Sequence, residues 1–299
     1  ENKEGFHGRA LPYDKIGETR LELGEIDRTL RGSLAKPTSL NDEKPPHPRY
    51  ISHVAQRRLY NINSNVAQSP INKELIATRK AYGETLVSLL PSFPTLVVLD
   101  GEVSNSTYSE IFKDKYPDKF FEMFIAEQNM VGTAVGLARR GKIPFVSTFA
   151  AFWTRAHDQL RMAAYAKANI KFVGSHAGVS IGQDGASQMG LEDIAMFRSL
   201  FNSVVLYPSD AVSTQKLVEE AAKHQGLVYI RTTRKETPVI YHAREEFKIG
   251  GSKILRSSNK DKFTIIGAGI TLHEALSAYE ELKKEGVSVR VIDSYSIKP

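Results

Sequence analysis

The chain has 299 residues, of which 41% are hydrophobic and 25% are charged, and this composition is typical of a globular protein with room for about two domains. It contains no cysteine, which excludes disulfides, thiolate catalysis and thiolate metal sites. The net charge of +6 is modest and suits either nucleic acid or a phosphorylated small molecule as a partner. No run of about 20 apolar residues is present, and residues 1–20 are polar, so we expect neither a membrane span nor a signal peptide.

The first quarter of the chain does not have the pattern of a folded core. Residues 1–25 begin abruptly, and we interpret them as the end of one domain. Residues 26–70 are polar and rich in proline and asparagine, so they cannot bury a core of their own. We therefore predict that residues 26–70 form a linker with at most one short helix.

From residue 71 onward, apolar runs and amphipathic segments alternate, which predicts an α/β fold with a doubly wound parallel sheet over residues 71–242. A second α/β unit starts within residues 243–299. The predicted strands are residues 95–99, 119–125, 143–148, 170–174, 203–207, 227–231, 263–266 and 287–292. The predicted helices are residues 76–90, 106–116, 128–140, 151–168, 192–200, 212–223 and 272–285.

Glu127 lies between a predicted strand and a predicted helix, the place where open α/β sheets bind ligands. An acidic residue at a helix start also interacts favourably with the helix dipole, which is the plain alternative. The surrounding stretch IAEQNM, residues 125–130, resembles the glutamate motif of the transketolase family of thiamine-diphosphate enzymes. The resemblance implies that Glu127 is catalytic and hydrogen-bonds a ring nitrogen of the cofactor aminopyrimidine, which promotes loss of the thiazolium C2 proton.

The stretch FAAFW, residues 149–153, follows a predicted strand. Aromatic residues in such a place are often core residues. The resemblance to transketolases implies instead that Phe152 stacks on the cofactor pyrimidine, supported by Phe149 and Trp153.

Residues 174–189, GSHAGVSIGQDGASQM, contain four glycines and several polar side chains, a composition that favours a loop shaped around a ligand over a flexible surface loop. The resemblance implies that His176 is catalytic and that His176 and Asp184 contact the hydroxyls of the sugar donor. It also places Gln188 at a cofactor-binding position, where animal transketolases have glutamine.

Three residues match phosphate-binding positions of the family: Arg79, Ser106 and Arg234. A guanidinium can bind phosphate through two parallel hydrogen bonds, although a single arginine is more often a solvated surface charge.

Two cofactor positions are implied less directly. Glu102, in the stretch DGE, replaces the usual aspartate of the family, so its partner is open. His7 matches a catalytic family histidine near the cofactor diphosphate and the reacting carbon. The sequence contains no Gly-Asp-Gly motif, so we predict no metal ligand here and expect the Mg²⁺ ligands outside this chain.

The resemblance as a whole implies a large internal fragment of a transketolase, inactive by itself. Residues 1–25 would end the diphosphate-binding domain, residues 71–242 would form the pyrimidine-binding domain, and residues 243–299 would start the C-terminal domain. The implied enzyme moves a two-carbon ketol unit between sugar phosphates in the pentose phosphate pathway. It is a cytoplasmic homodimer with its active site at the interface and binds neither nucleic acid nor membrane. Alternatives are a 1-deoxyxylulose-5-phosphate synthase, an oxo-acid dehydrogenase β subunit, or an inactive transketolase-like binding protein.

Overall fold

The computed structural model describes Asp14 and residues 75–299. The predicted linker, the predicted end of the preceding domain and His7 therefore lie outside the described residues, Asp14 excepted. The described strands are β1 (Leu75–Ala77), β2 (Leu96–Asp100), β3 (Phe120–Glu122), β4 (Ile143–Phe149), β5 (Lys171–Ser175), β6 (Val204–Leu206), β7 (Val228–Arg231), β8 (Glu236–Pro238), β9 (Lys253–Arg256), β10 (Phe263–Gly267), β11 (Val289–Asp293) and β12 (Ser296–Lys298). The described α-helices are α1 (Thr78–Leu89), α2 (Ser104–Thr107), α3 (Glu110–Lys115), α4 (Glu127–Arg139), α5 (His157–Tyr165), α6 (Asp193–Ser199), α7 (Ala211–Lys223) and α8 (Ile270–Lys284).

A seven-stranded sheet organises the described residues, in the order β12-β6-β7-β5-β4-β2-β3. All of its neighbouring strands are parallel except β12, which runs antiparallel to β6. After β2 the chain adds β3 on one side and then β4 on the other, so the strand order reverses at β2. The predicted doubly wound α/β fold is confirmed, and such a reversal marks where open α/β sheets bind ligands.

Apolar side chains pack on both faces of this sheet. On one face the core includes Tyr82 and Leu86 of α1 and Leu217 of α7. On the other face it includes Met130 of α4 and Leu160 of α5. Both faces are buried, which explains why β2, β4 and β5 contain no exposed residue and why their sequences do not alternate between apolar and polar residues.

Two predicted helices are interrupted. The helix predicted over residues 106–116 is split into α2 and α3 because Tyr108 adopts a left-handed conformation with φ of 61°. Gly83 lies against the Tyr108 carbonyl, so only a residue without a Cβ fits there. The helix predicted over residues 151–168 starts as a 3₁₀ segment, Ala150–Ala156, and continues as α5.

The strand predicted over residues 119–125 was too long, because only residues 120–122 belong to the sheet. Strand β3 ends at Glu122, and Phe124 has a positive φ of 54° that turns the chain out of the sheet. Phe124 and Ile125 are 63% and 56% exposed. Glu127 therefore follows an exposed apolar turn rather than a buried strand.

A second, three-stranded sheet in the order β10-β11-β9 carries α8, as expected for the start of another α/β unit. The short strand β12 then returns to the seven-stranded sheet. A buried carboxylate lies at this junction, where Asp293 accepts hydrogen bonds from the hydroxyls of Ser209 and Tyr241. Burial raises the pKa of Asp293 to about 6, opposed by these hydrogen bonds. No helix within residues 75–299 combines the length and the apolar character needed to cross a membrane.

Candidate active site

The predicted site residues within the described part of the chain follow the carboxyl ends of the parallel strands. Glu127 follows β3, Phe152 follows β4, His176 follows β5 and Arg234 follows β7. Because the carboxyl ends of parallel strands share one edge of the sheet, these side chains lie along one rim.

Glu127 is a buried carboxylate at the first position of α4, with 3% of its side chain exposed. Arg155, which belongs to the 3₁₀ segment, donates a hydrogen bond from Nη1 to Glu127 Oε2 over 3.0 Å. The same nitrogen donates to the carbonyl oxygen of Ile125 over 3.2 Å. The sequence did not indicate this pairing, since the two charged residues are 28 positions apart.

Three flat rings form a continuous stack beside the site. Phe149 lies between the two others, with its ring centroid 5.1 Å from that of Phe152 and 3.8 Å from that of His176. Phe152 is only half-buried, so its ring remains accessible for a further stacking partner. Trp153 is fully buried, donates a hydrogen bond to the Val173 carbonyl, and supports the segment from the core.

His176 is a buried imidazole held in an unusual backbone conformation. Its φ is 58°, and non-glycine residues with positive φ often occur at functional sites. The hydroxyl of Ser175 lies 2.9 Å from Nδ1. Burial lowers the pKa of His176 to about 3, helped by the positive charges of Arg79 and Arg234. The ring is therefore neutral at physiological pH and presents one donor and one acceptor nitrogen.

We expect the imidazole of His176 to remain neutral from pH 8 down to about pH 4, because its pKa lies near 3. The ring ¹⁵N shifts, assigned by comparison with a His176→Gln variant, should stay constant over this range. A folded-state pKa below the unfolded value also means that His176 destabilises the fold as the pH falls below about 6.5. Titration of the assigned signals near pH 6 would contradict this description.

A cluster of charges lies next to His176. The carboxylate atom Asp184 Oδ2 lies 3.6 Å from His176 Nε2 and 3.2 Å from Arg234 Nε. Arg234 also donates to the carbonyl of Ile181 over 2.8 Å. Arg79 is close enough for the charges of both Arg234 and Asp184 to affect its pKa, which burial lowers. The structure thus brings together four of the residues that the sequence singled out.

Two buried polar atoms of this cluster make no hydrogen bond within residues 75–299, although one of them, Asp184 Oδ2, lies in an ion pair with Arg234. Arg79 donates from Nη1 to the carbonyl of Ser106 and lies 5.0 Å above the ring of Tyr108. Its Nε, however, is buried without a hydrogen-bond partner in the described chain, as is Asp184 Oδ2. Buried polar atoms normally have partners, so this arrangement is suited to an anionic ligand that also carries hydroxyl groups.

The remaining predicted site residues are less closely connected to the cluster. Ser106 lies in α2 and contacts Arg79 through its backbone carbonyl. Gln188 is half-buried in a 3₁₀ turn, Ala186–Gln188. Glu102 is exposed and has a positive φ of 64°, and its N–H donates to Glu122. The roles of all these residues stay predictions.

A buried ion pair, which the sequence did not indicate, anchors the glycine-rich loop of residues 174–189. Arg231 contacts Asp193 through Nε at 2.7 Å and donates from Nη2 to the carbonyl of Gly190. Gly190 in turn pairs with the backbone of His176 and Gly178. Asp193 also accepts a hydrogen bond from the hydroxyl of Tyr229. The pair therefore fixes the loop that carries His176 and Asp184.

We expect Arg231→Met to lower the free energy of unfolding by about 3–5 kcal/mol, because it leaves the buried Asp193 carboxylate without its cation. Adding Asp193→Leu should recover a large part of this loss, since the unpaired charge is then removed as well. Urea denaturation of both variants measures the effect. A double variant that is no more stable than Arg231→Met would contradict it.

Comparison with known proteins identifies the class to which this fold and site belong. The family model "Transketolase, pyrimidine binding domain" matches residues 74–239, and the model "Transketolase, C-terminal domain" matches residues 251–299. The chain is 47% identical to the transketolase of Homo sapiens over 300 residues, which cover 100% of this chain and 46% of that protein. It is 54% identical to the human transketolase-like protein 2, with the same coverage of each chain.

Solved structures agree with this assignment. A structure described as "Split gene transketolase, inactive beta4 tetramer" superposes with a TM-score of 0.68 at 43% identity, covering 75% of this chain and 73% of that chain. The transketolase of Campylobacter jejuni shares the fold, with a TM-score of 0.70 at 23% identity over 81% of this chain and 40% of that one. The chain belongs to the transketolase family, a family of thiamine-diphosphate enzymes, and spans about half the length of the curated relatives. The predicted family is confirmed, whereas the predicted domain boundaries stay predictions.

The residues of the rim fit the aminopyrimidine part of thiamine diphosphate. A half-buried phenylalanine ring offers a stacking surface, and a buried carboxylate lies on the neighbouring strand-to-helix junction. The described residues do not offer a comparable site for the metal that accompanies the diphosphate. Within residues 75–299 no three of the histidine, aspartate and glutamate side chains come close enough together to hold a metal ion.

Proposed function

We propose that this chain forms the pyrimidine-binding part of a thiamine-diphosphate-dependent transketolase, which moves a two-carbon ketol unit from a ketose phosphate to an aldose phosphate. One observation carries the proposal. The carboxyl edge of one sheet carries the buried Glu127 carboxylate after β3, the ring stack after β4, His176 and Asp184 after β5, and Arg234 after β7. Arg79 of α1 lies next to the charges of Asp184 and Arg234. A cofactor ring and a sugar phosphate can therefore lie side by side.

Glu127 and Phe152 hold the cofactor ring in this proposal. When bound there, thiamine diphosphate would supply carbanion chemistry that no amino-acid side chain offers. Phe152 contributes a flat apolar surface that fixes the plane of the pyrimidine. Glu127 presents a carboxylate oxygen to a ring nitrogen and holds a proton at that contact. Because Glu127 is 3% exposed, the hydrogen bond forms in a site largely free of water and is correspondingly strong.

His176 and Asp184 orient the sugar. Because Nδ1 of the neutral imidazole is hydrogen-bonded to the Ser175 hydroxyl, Nε2 is the ring nitrogen that can contact a sugar hydroxyl. Asp184 Oδ2 lacks a hydrogen-bond partner within residues 75–299 and can accept from a donor hydroxyl. The carboxylate and imidazole together favour a polyhydroxylated substrate.

Arg79, Arg234 and Ser106 bind the terminal phosphate of the sugar. The positive charge of Arg234 is close enough to lower the pKa of Arg79. The buried Nε of Arg79 has no hydrogen-bond partner within residues 75–299. Two fixed cations beside one carboxylate leave a net positive site, which suits a phosphate dianion. Gln188, Glu102 and His7 complete the cofactor contacts in this proposal, with the Mg²⁺ ligands in a separate diphosphate-binding domain.

The complete enzyme is proposed to be a cytoplasmic homodimer of the pentose phosphate pathway. Exposed apolar side chains lie directly beside the site. Phe124 and Ile125, which are 63% and 56% exposed, directly precede Glu127 in the chain. Such a concentration of apolar surface is typical of a protein interface, so the dimer contact and the active site coincide.

The chain by itself is proposed to be inactive. The related split-gene structure, 43% identical, is described as an inactive beta4 tetramer, and the match covers 75% of this chain and 73% of that one. In this proposal an additional protein region supplies the diphosphate half of the site.

A two-substrate assay of the complete enzyme tests the proposal. Xylulose 5-phosphate, which is bound in a transketolase structure from Pichia stipitis, serves as donor with an aldose phosphate as acceptor. Transfer of the two-carbon unit is the expected result. Condensation with pyruvate instead would favour a 1-deoxyxylulose-5-phosphate synthase or an oxo-acid dehydrogenase. Failure of the loaded protein to turn over either substrate would favour a transketolase-like binding protein.

A further inference from the structure

We propose that Arg155 is a positioning residue that directs one oxygen of the Glu127 carboxylate toward the cofactor ring. This inference rests on the function proposed above and assigns a role to an arginine that no motif in the sequence indicated. It concerns the binding of the cofactor ring, and it can fail while the main proposal holds.

The contacts of Arg155 fix the junction in front of α4. Its Nη1 donates to both the Ile125 carbonyl and Glu127 Oε2, over 3.2 Å and 3.0 Å. These two acceptors lie on either side of Ala126, the N-cap residue of α4, which provides no side-chain cap. A single guanidinium nitrogen thus holds both the backbone and the carboxylate of this junction. A lysine carries the charge but not the rigid planar group.

The hydrogen bonds of the carboxylate leave one oxygen available. Oε2 is engaged by Arg155, whereas Oε1 accepts no hydrogen bond from any residue within the described part of the chain. Since a guanidinium donates but never accepts, Arg155 selects which carboxylate oxygen remains free. Oε1 is therefore the atom that meets the ring nitrogen.

The carboxylate and the stacking ring are coordinated by the same short segment. Phe152 and Arg155 are three residues apart in the 3₁₀ segment Ala150–Ala156, and residues i and i+3 of such a helix lie on the same side. Phe152 sets the plane of the ring, and Arg155 sets the oxygen that faces its edge. A displacement of Arg155 should therefore disturb the contact with the ring nitrogen but not the stacking contact.

The pair adds little to the stability of the fold. Arg155 is 58% exposed, and an ion pair with so exposed a partner contributes only weakly to folding. Arg161 of α5 offers a matched control. It is also an exposed arginine, it lies over the ring of Tyr165, and it forms no ion pair with a carboxylate within residues 75–299.

The test compares two ligands in the complete enzyme with Mg²⁺: thiamine diphosphate, and an analogue in which C–H replaces the pyrimidine nitrogen that Glu127 contacts. Dissociation constants are measured by calorimetry for wild type, Arg155→Met, Arg155→Lys and Arg161→Met. We expect Arg155→Met to weaken thiamine diphosphate about tenfold and to leave the analogue unchanged within about twofold. Arg155→Lys should recover only part of the loss, and Arg161→Met should match wild type.

Each outcome bears on a different assumption. Equal weakening of both ligands by Arg155→Met, or no weakening of either, would overturn the positioning role. If the wild-type enzyme bound the two ligands with equal affinity, Glu127 would make no contact with the ring nitrogen. That result would contradict the main proposal rather than the role of Arg155.

Discussion

Replacing Glu127 with glutamine is expected to slow the exchange of the C2 proton of bound thiamine diphosphate by about 10²–10³-fold in the complete enzyme. Glutamine keeps the size of the side chain but removes the anionic acceptor from a site that is almost closed to water. Removal of one preorganised electrostatic contact of this kind costs about 2.7–4 kcal/mol of transition-state stabilisation. Exchange into deuterated water, followed by proton NMR, gives the rate directly.

Glu110→Gln is the matched control for this prediction. Glu110 occupies the first turn of α3, as Glu127 occupies the first turn of α4. The two variants therefore lose the same interaction with a helix dipole, and only Glu127→Gln loses the contact with the ring. If both variants slow the exchange equally, or neither does, the assignment of Glu127 is wrong.

Arg79→Ala and Arg234→Ala are each expected to raise the KM for a phosphorylated ketose by about 10–100-fold. The estimate follows from about 1.5–3 kcal/mol for a hydrogen bond to a charged group. Turnover of hydroxypyruvate, a donor without phosphate, should remain nearly unchanged. Initial rates with both donors distinguish the phosphate contact from a general loss of structure.

The control for the arginine series is Arg139→Ala. Arg139 is an exposed arginine in the last turn of α4, away from the charge cluster, and its loss should leave both donors unaffected. Equal losses on the phosphorylated and the non-phosphorylated donor in Arg79→Ala or Arg234→Ala would show that the arginine holds the loop rather than the phosphate.

The main elements of the fold could be predicted from sequence because long apolar runs carry a clear signal. Strands β2, β4 and β5 are buried on both faces, and the helices between them have apolar residues at helical spacing. Strands of three residues, such as β1, β8 and β12, are too short to show a period. Their pairing depends on residues far away in the chain, as with β12 and β6.

The positions of the site residues that follow parallel strands could also be predicted from the sequence. Glu127 and His176 follow strands, and parallel strands bring their carboxyl ends to one edge whatever lies between them. The contacts that hold them in place arise only in three dimensions. Arg155 reaches Glu127 across 28 positions, and Arg231 reaches Asp193 across 38. The exposure of Phe124 and Ile125 could not be predicted, because apolar residues that follow a strand have the same sequence pattern whether they are buried or exposed.

The central claim is that this chain supplies the pyrimidine half, and not the diphosphate half, of a shared thiamine-diphosphate site. Titration calorimetry with thiamine diphosphate and Mg²⁺ tests it most directly, first on the chain alone and then on the complete enzyme. No metal cluster is present within residues 75–299, and the sequence contains no Gly-Asp-Gly motif. We therefore expect no measurable binding by the chain alone, and tight, Mg²⁺-dependent binding by the complete enzyme. Micromolar binding to the isolated chain would contradict the claim.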